Sequence, residues 1–395
     1  MVPLAGLLWM LAAPQGVAQP LADKDANLGH FYNLEYDEAI AGFRAALRER
    51  PEDLESLNDL AQALFYREMY RAGALESELV SGDNPLLRRP KLNPSAEVRA
   101  EIEQFLQKVM ELARQRLKRD PEDAEALYQL GVAHGVRANC DFLLRKAWVD
   151  GLRSATTARR LHKKVTELDP DFVDAMYMEG IHEYVVACLP TAYRVLGFLV
   201  GFRGDRKAGI RTIQTVAQQG RRNRVSAEML LCVIYRREKN PEQAVPLLAD
   251  LIRRYPRNYL FRLERAQMLA DAGEIEKALA AIQEVEELKL VGAPGFARLT
   301  LEKVHYVRGD VQFRGRRTVE AAATLETLLA KDQDREPATR ALAWRRLGQI
   351  YDLLGERPLA RDAYEQAVET DPQSEAAKQA RQYLAMPYRR EKDQY

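Results

Sequence analysis

Cysteine is scarce: Cys140, Cys188 and Cys232 are the only three in 395 residues, far apart and odd in number. No Cys-x-x-Cys pair exists, which excludes a zinc ribbon and a thioredoxin-like motif. One disulfide stays available in an oxidising compartment, but three small apolar side chains are the simpler reading. Histidine is sparse too. His30, His134, His162, His182 and His305 form no His-Glu-x-x-His and no ligand cluster. His182 and Glu183 are adjacent, and neighbours on a helix point in different directions. No catalytic residue, metal or cofactor is therefore expected. Nor is there an excess of one charge: 59 Lys and Arg against 58 Asp and Glu leave a net +1. That removes any global pull toward nucleic acid. No segment beyond the first twenty residues is long and apolar enough to span a membrane.

Those first residues differ from the rest. Val2 to Ala13 carries no charge, and Gly16-Val17-Ala18 sets small residues at −3 and −1 of a cleavage after Ala18. Length and chemistry are those of a secretory signal, although no Lys or Arg precedes the run. The run is too short for a comfortable span. An exported, periplasmic protein is the expectation, with membrane association left open.

What is present is a repeat. From Ala341, the residues Trp344, Leu347, Gly348, Tyr351, Gly355, Ala360, Tyr364, Ala367 and Pro372 fall at positions 4, 7, 8, 11, 15, 20, 24, 27 and 32. This is the tetratricopeptide signature. Positions 8 and 20 must be small where helix A crosses helix B, and the remaining apolar positions fill the seam. Proline at position 32 ends helix B. The same ruler opens units at Leu54, Ala124, Val173, Val225, Tyr259 and Glu302, with a helix B from Tyr36 to Pro51. The fold class is all-α: a tetratricopeptide (helical hairpin) solenoid with an irregular, extended middle. Ser374 to Leu384 supplies the polar closing helix that such arrays need.

The organisation read from this is a signal over 1–18 and N-terminal hairpins over 19–64. An irregular section follows over 65–221, with a proline-rich insert at 80–95. Regular repeats occupy 222–372, and a capping helix with a polar tail occupies 373–395. A long helix from about Ala96 to Lys118 and an overlong second helix before Pro170 stretch the middle units.

Cys188 to Ile213 reads CLPTAYRVLGFLVGFRGDRKAGIRTI. Leu189-Pro190, Gly201-Phe202, Gly204-Asp205, Arg206 and Gly209 resemble the segment that marks the family of tetratricopeptide repeat protein 39 and the mitochondrial inclusion-body clearance protein. The similarity covers roughly residues 120–375. It implies a non-enzymatic helical adaptor linked to membrane lipid homeostasis and aggregate clearance. Those proteins are eukaryotic and intracellular, whereas this chain begins with an export-like segment and looks like an exported bacterial relative.

Two surfaces are candidates. Helix A positions 2, 5, 9, 12 and 13 line the inner groove of such arrays. They give Tyr128, Val132, Tyr177, Ile181, Tyr184, Met229, Val233 and Leu263, an apolar stretch suited to a helix or extended peptide. Burial of these residues by the overlong helices is the competing reading. In the terminal repeat the same positions give polar Arg345, Gln349 and Asp352. The second surface is basic. Ten basic and two acidic residues between Arg194 and Arg237 leave a local +8. Arg203, Arg206, Lys207 and Arg211 could touch an anionic membrane, or the charge could be balanced by acids elsewhere. Gly204 is read as a turn and Asp205 as a helix cap. The expected partner is a protein or peptide, with an anionic membrane as the alternative. Nucleic acid and a small-molecule substrate are not expected.

Overall fold

The computed structural model describes residues 21–75, 92–188, 204–330 and 336–390, and their regular elements are all helical. The export-like segment, most of the proline-rich insert, Leu189-Pro190, Gly201-Phe202 and Arg203 lie outside the described residues. The chain divides into two compact units that meet between Ile234 and Tyr235.

Unit 1 holds α1 (Leu21–Tyr32), α2 (Tyr36–Glu49), α3 (Leu54–Arg71), α4 (Ala96–Arg119) and α5 (Ala124–Asn139). A π-helical turn, Cys140–Arg145, follows α5 and leads to α6 (Trp148–Leu168). A short 3-10 turn, Val173–Ala175, precedes α7 (Met176–Ala187), and α8 (Arg206–Gln219) comes next. The unit boundary falls inside α9 (Arg224–Arg237). Unit 2 holds α10 (Pro241–Arg254), α11 (Tyr259–Asp271), α12 (Ile275–Leu290) and α13 (Leu301–Arg314). It ends with α14 (Thr318–Ala330), α15 (Pro337–Leu354), α16 (Arg357–Thr370) and α17 (Glu375–Ala385).

Helix starts follow local chemistry. Asp53, Ser95, Asp123, Asp205, Thr300 and Ser374 each accept a backbone N–H from the first turn of the helix they precede. Such a cap is worth about 1 kcal/mol. Pro256 and Pro372 stand just past α10 and α16, as the ruler requires.

Within unit 2 each helix packs on the next. The first helices of successive hairpins, α11, α13, α15, and the closing helix α17 also pack side by side. The small position 20 residues Ala244, Ala278, Ala321 and Ala360 are fully buried. A Cβ on Gly348 would sit 2.5 Å from the Tyr364 ring, and one on Gly309 would sit 2.7 Å from Leu325. The small residue at position 8 is thus the seat of the large residue at position 24.

Within unit 1, α3 packs on α2, α4 and α5, and its stretch from Leu54 to Tyr66 is buried on all sides. Amphipathic surface helices keep one face in water. This one cannot, and its buried Glu55, Asn58, Asp59 and Gln62 are enclosed with it.

Candidate functional site

The apolar groove read from the sequence is not open in unit 1. Tyr128, Tyr177, Ile181 and Tyr184 are fully buried and Val132 nearly so. Leu263 in unit 2 is buried as well, while Met229 and Val233 on α9 are half-buried. The inward-facing positions are occupied as expected, but the side chains of Tyr32, Tyr66, Tyr128 and Tyr177, from four helices, gather there and are all buried. The Tyr177 hydroxyl lies in electrostatic reach of Tyr66, Tyr32 and Tyr128, and burial pushes its pKa well up. That hydroxyl donates to the Ser226 carbonyl at 3.2 Å. Tyr128 stacks on His162 with ring centroids 4.9 Å apart and accepts from the Asn223 amide at 3.0 Å.

Around Tyr128 runs a buried polar network. Asp174 accepts the backbone N–H groups of Arg222 at 2.9 Å, Asn223 at 2.7 Å and Arg221 at 3.2 Å. Arg222 pairs with Glu125 at 2.9 Å while its guanidinium lies 5.2 Å from the Tyr128 ring and 5.4 Å from that of Phe172. Gln129 donates to Glu125 and accepts from Asn58. Every link joins elements of unit 1, so the network holds the fold and presents no ligand surface.

The Gly-Asp segment is a packing device. Asp205 caps α8, accepting from Ala208 N at 2.9 Å. A Cβ on Gly204 would meet Ala187 N at 2.3 Å, and one on Gly209 would meet Tyr184 N at 2.6 Å. The two glycines let α8 lie directly on the backbone of α7. Arg206, Lys207 and Arg211 are exposed on the outer side of that contact. The expected local charge is partly neutralised: Arg222 pairs with Glu125, Arg224 with Glu228 and Arg236 with Glu264.

Unit 2 presents a different inner face. Asp310, at position 9 of the α13 hairpin, is almost wholly buried and accepts from Arg314 Nε at 2.7 Å and from Arg346. Burial alone would raise its pKa; the Arg314 and Arg346 guanidinium groups outweigh it and hold the carboxyl well below the usual range. Arg314 also pairs with Asp271. Phe313, at position 12, has the Arg346 guanidinium 4.4 Å from its ring centroid.

Onto this face folds the chain's own tail. Beyond α17 the segment 386–390 is not helical. The Tyr388 N–H donates to Asp352 Oδ2 at 2.8 Å. Its ring lies 6.1 Å from Phe313 and edge-on to Tyr383 at 5.4 Å. Arg390 donates to the Phe313 carbonyl at 2.9 Å and sits 4.7 Å from that ring. Asp352 is fixed from below by Arg357 at 2.9 Å and the Tyr364 hydroxyl at 2.9 Å. A backbone donor, an aromatic ring and a guanidinium of the tail are thus each met by a matching group on the inner face. Of these residues the sequence reading names Asp352 as an inward position and Tyr364 as a seam position. Asp310 and Phe313 stand at the same ruler positions in the weaker Glu302 unit and were passed over.

Residues 101–291 match the model of the family Iml2/Tetratricopeptide repeat protein 39, and residues 341–374 match the tetratricopeptide repeat. Residues 101–291 belong to that family, and the chain is a tetratricopeptide-repeat protein. The Gly-Asp segment that carried the resemblance lies inside the matched range. Among solved structures the chain is similar to human IFIT1, a dimer with m7Gppp-AAAA, at 13% identity and TM-score 0.41, covering 95% of this chain and 89% of that one. Yeast Tom70 aligns at 15% identity and TM-score 0.36, covering 91% and 87%. YrrB, a TPR protein with an unusual peptide-binding site, aligns at 14% identity and TM-score 0.33, covering 68% and 97%. Tetratricopeptide-repeat proteins bind protein or peptide partners, and this one is a protein-interaction scaffold.

Proposed function

We propose that the protein is an exported, non-enzymatic adaptor of the cell envelope that binds an extended partner segment on the inner face of unit 2. The observation that carries the site is the tail: Tyr388 and Arg390 already occupy Asp352 and Phe313 as a peptide ligand would. The partner segment has an aromatic residue two places before an arginine, because Phe313 answers both of those groups while Asp352 accepts the backbone N–H of the aromatic residue. The tail holds the site in cis, and a partner displaces it. A covalently attached ligand competes at high effective concentration, so only a tighter partner segment wins. Export rests on the uncharged run Val2 to Ala13 and the small residues before the cleavage after Ala18.

A labelled peptide of residues 386–395 offered to the chain truncated after Ala385 tests the site by fluorescence anisotropy. Saturable binding is expected, at least tenfold weaker for a peptide carrying Arg390→Ala and much weaker for the untruncated chain. A truncated chain that ignores the peptide sinks the assignment. For the compartment, mature protein beginning at Gln19 is expected in a periplasmic fraction; full-length protein confined to the cytosol overturns export.

A further inference from the structure

Where α10, α11 and α12 meet in unit 2 there is an open cleft of about 320 Å³, lined by Arg253, Arg262, Arg265, Glu284, Ile252 and Pro256 with the small residues Ala249 and Ala281. Its origin is legible in the repeat. Counting from Tyr259, Arg262 and Arg265 stand at positions 4 and 7. Those positions hold Trp344 and Leu347 in the terminal repeat, where apolar side chains fill the space between one first helix and its flanking second helices. Here two half-buried arginines replace that filling, and alanines face them from α10 and α12. Replacing apolar seam residues by arginine leaves guanidinium groups needing partners. Arg262 finds one in Glu284 at 2.5 Å, and Arg253 finds one in Asp250. The Nε–H groups of Arg262 and Arg265 are buried without a hydrogen-bond partner. Two of the three guanidinium groups at the cleft therefore have a carboxylate partner, and Arg265 has no ion pair among the described residues.

We propose that this cleft is a binding site for a small oxyanion, a carboxylate or a phosphate group. The planar guanidinium fork matches both groups through paired N–H donors, which an ammonium cannot reproduce. The volume is at the lower end for small-molecule sites, so it suits one anionic group with a short organic stem. Arg265 is the principal ligand and Arg262 shares it with Glu284. Pro256 and Ile252 supply an apolar wall against which the stem rests. The site is separate from the inner face held by the tail and stands whether or not that face binds a peptide.

Isothermal titration of the purified chain with inorganic phosphate and, separately, with succinate tests it, at constant ionic strength with chloride as the balancing anion. Saturable one-to-one binding with a millimolar or lower Kd is expected for at least one, and the ratio of the two Kd values identifies the preferred group. Arg265→Met, which keeps the bulk of the stem, should weaken binding at least tenfold. Arg265→Lys should recover only part of the loss. Glu284→Gln changes an exposed residue, removes the competing carboxylate and should tighten binding several-fold, so the proposal stays testable should the Arg265 variants fold poorly. Heats that do not saturate with either anion, or that are the same in wild type, Arg265→Met and Glu284→Gln, would overturn the site.

Discussion

The inner face of unit 1 is filled by its own tyrosines, while that of unit 2 is charged and carries the chain's tail. Both are built from inward positions of the same kind of hairpin. In unit 1 position 5 is Tyr128 or Tyr177, and each ring is fully buried with its hydroxyl engaged inside the unit. In unit 2 positions 9 and 12 are Asp310, Phe313 and Asp352, whose partners include Tyr388 and Arg390 from beyond the closing helix. A repeat fixes where an inward side chain stands. Whether that buried side chain meets its own unit's helices or the tail depends on what is packed over it.

The largest effect that tests this contrast is Asp174→Ala. Three backbone donors lose their acceptor, that of Asn223 in a buried place and those of Arg221 and Arg222 in part-buried ones. An unsatisfied buried group costs about 1–3 kcal/mol, so with one buried and two part-buried donors a loss of about 3 kcal/mol is expected for unit 1. Trp148 reports on unit 1 when Trp9 and Trp344 are replaced by phenylalanine, and Trp344 reports on unit 2 when Trp9 and Trp148 are. In urea, the transition seen by Trp148 should move to lower concentration and that seen by Trp344 should stay. Equal movement of both would mean that the buried network is not confined to unit 1.

Acid should also separate the units. Burial pushes His134, His162 and His182 of unit 1 down to about 4. Their ordinary value is about 6.5, so between those limits the unfolded chain binds protons that the folded one does not. The stability they contribute is full above pH 6.5 and is lost as pH falls toward 4. For His162, which is fully enclosed, the linkage amounts to about 3 kcal/mol. Asp141 and Glu183, whose carboxyls burial raises, act the other way in the same unit. The histidine contribution is therefore read from His162→Gln, which should flatten the pH dependence of the Trp148 transition between pH 6.5 and 4. In unit 2 the depressed Asp310 carboxyl contributes stability above the ordinary carboxylate range, lost only as pH falls below about 4. The Trp344 transition should thus hold through the window in which the Trp148 transition weakens.

A smaller effect distinguishes the two kinds of glycine seat. Gly348 in unit 2 makes room for the Tyr364 ring, a side chain that can shift, and Gly348→Ala should cost about 1–3 kcal/mol. Gly204 in unit 1 makes room for the backbone of α7 at Ala187, which cannot shift without moving the helix. Gly204→Ala should cost more than Gly348→Ala in urea unfolding, and the reverse order would remove the packing account of the Gly-Asp segment. This difference bears on what was legible in the sequence. The seam positions of unit 2 were readable because each depends on residues a fixed distance apart in one hairpin. Asp205 as a cap was readable for the same reason, since its partner is three residues away. The enclosure of Tyr128, Tyr177 and Tyr184 was not, because it depends on which helices converge across the unit. Nor was the seating of Arg390 on Phe313, which joins residues 77 apart without any pattern connecting them.

The smallest effect concerns the turn between helices, which the two units share. At position 15 the backbone is left-handed in Leu34, Lys239, Gly273, Arg316 and Gly355. In each case the next residue's N–H reaches back five residues, as in Glu35 to His30, Asn240 to Tyr235, Glu274 to Leu269, Arg317 to Gln312 and Glu356 to Tyr351. This is the Schellman closure, and glycine is its favoured residue. A side chain in that conformation costs about 1–2 kcal/mol, part of which glycine forfeits through its freer unfolded state. Arg316→Gly removes the strain but also the side chain, which has no ion pair among the described residues. Leu34→Gly removes an apolar side chain that is only half-buried. Each should raise stability by about 0.5 kcal/mol or slightly more, seen as a shift of the Trp344 transition for Arg316→Gly and of the Trp148 transition for Leu34→Gly. A gain in one unit and a loss in the other would show that the shared turn geometry hides different demands, extending the contrast of the inner faces to the loops.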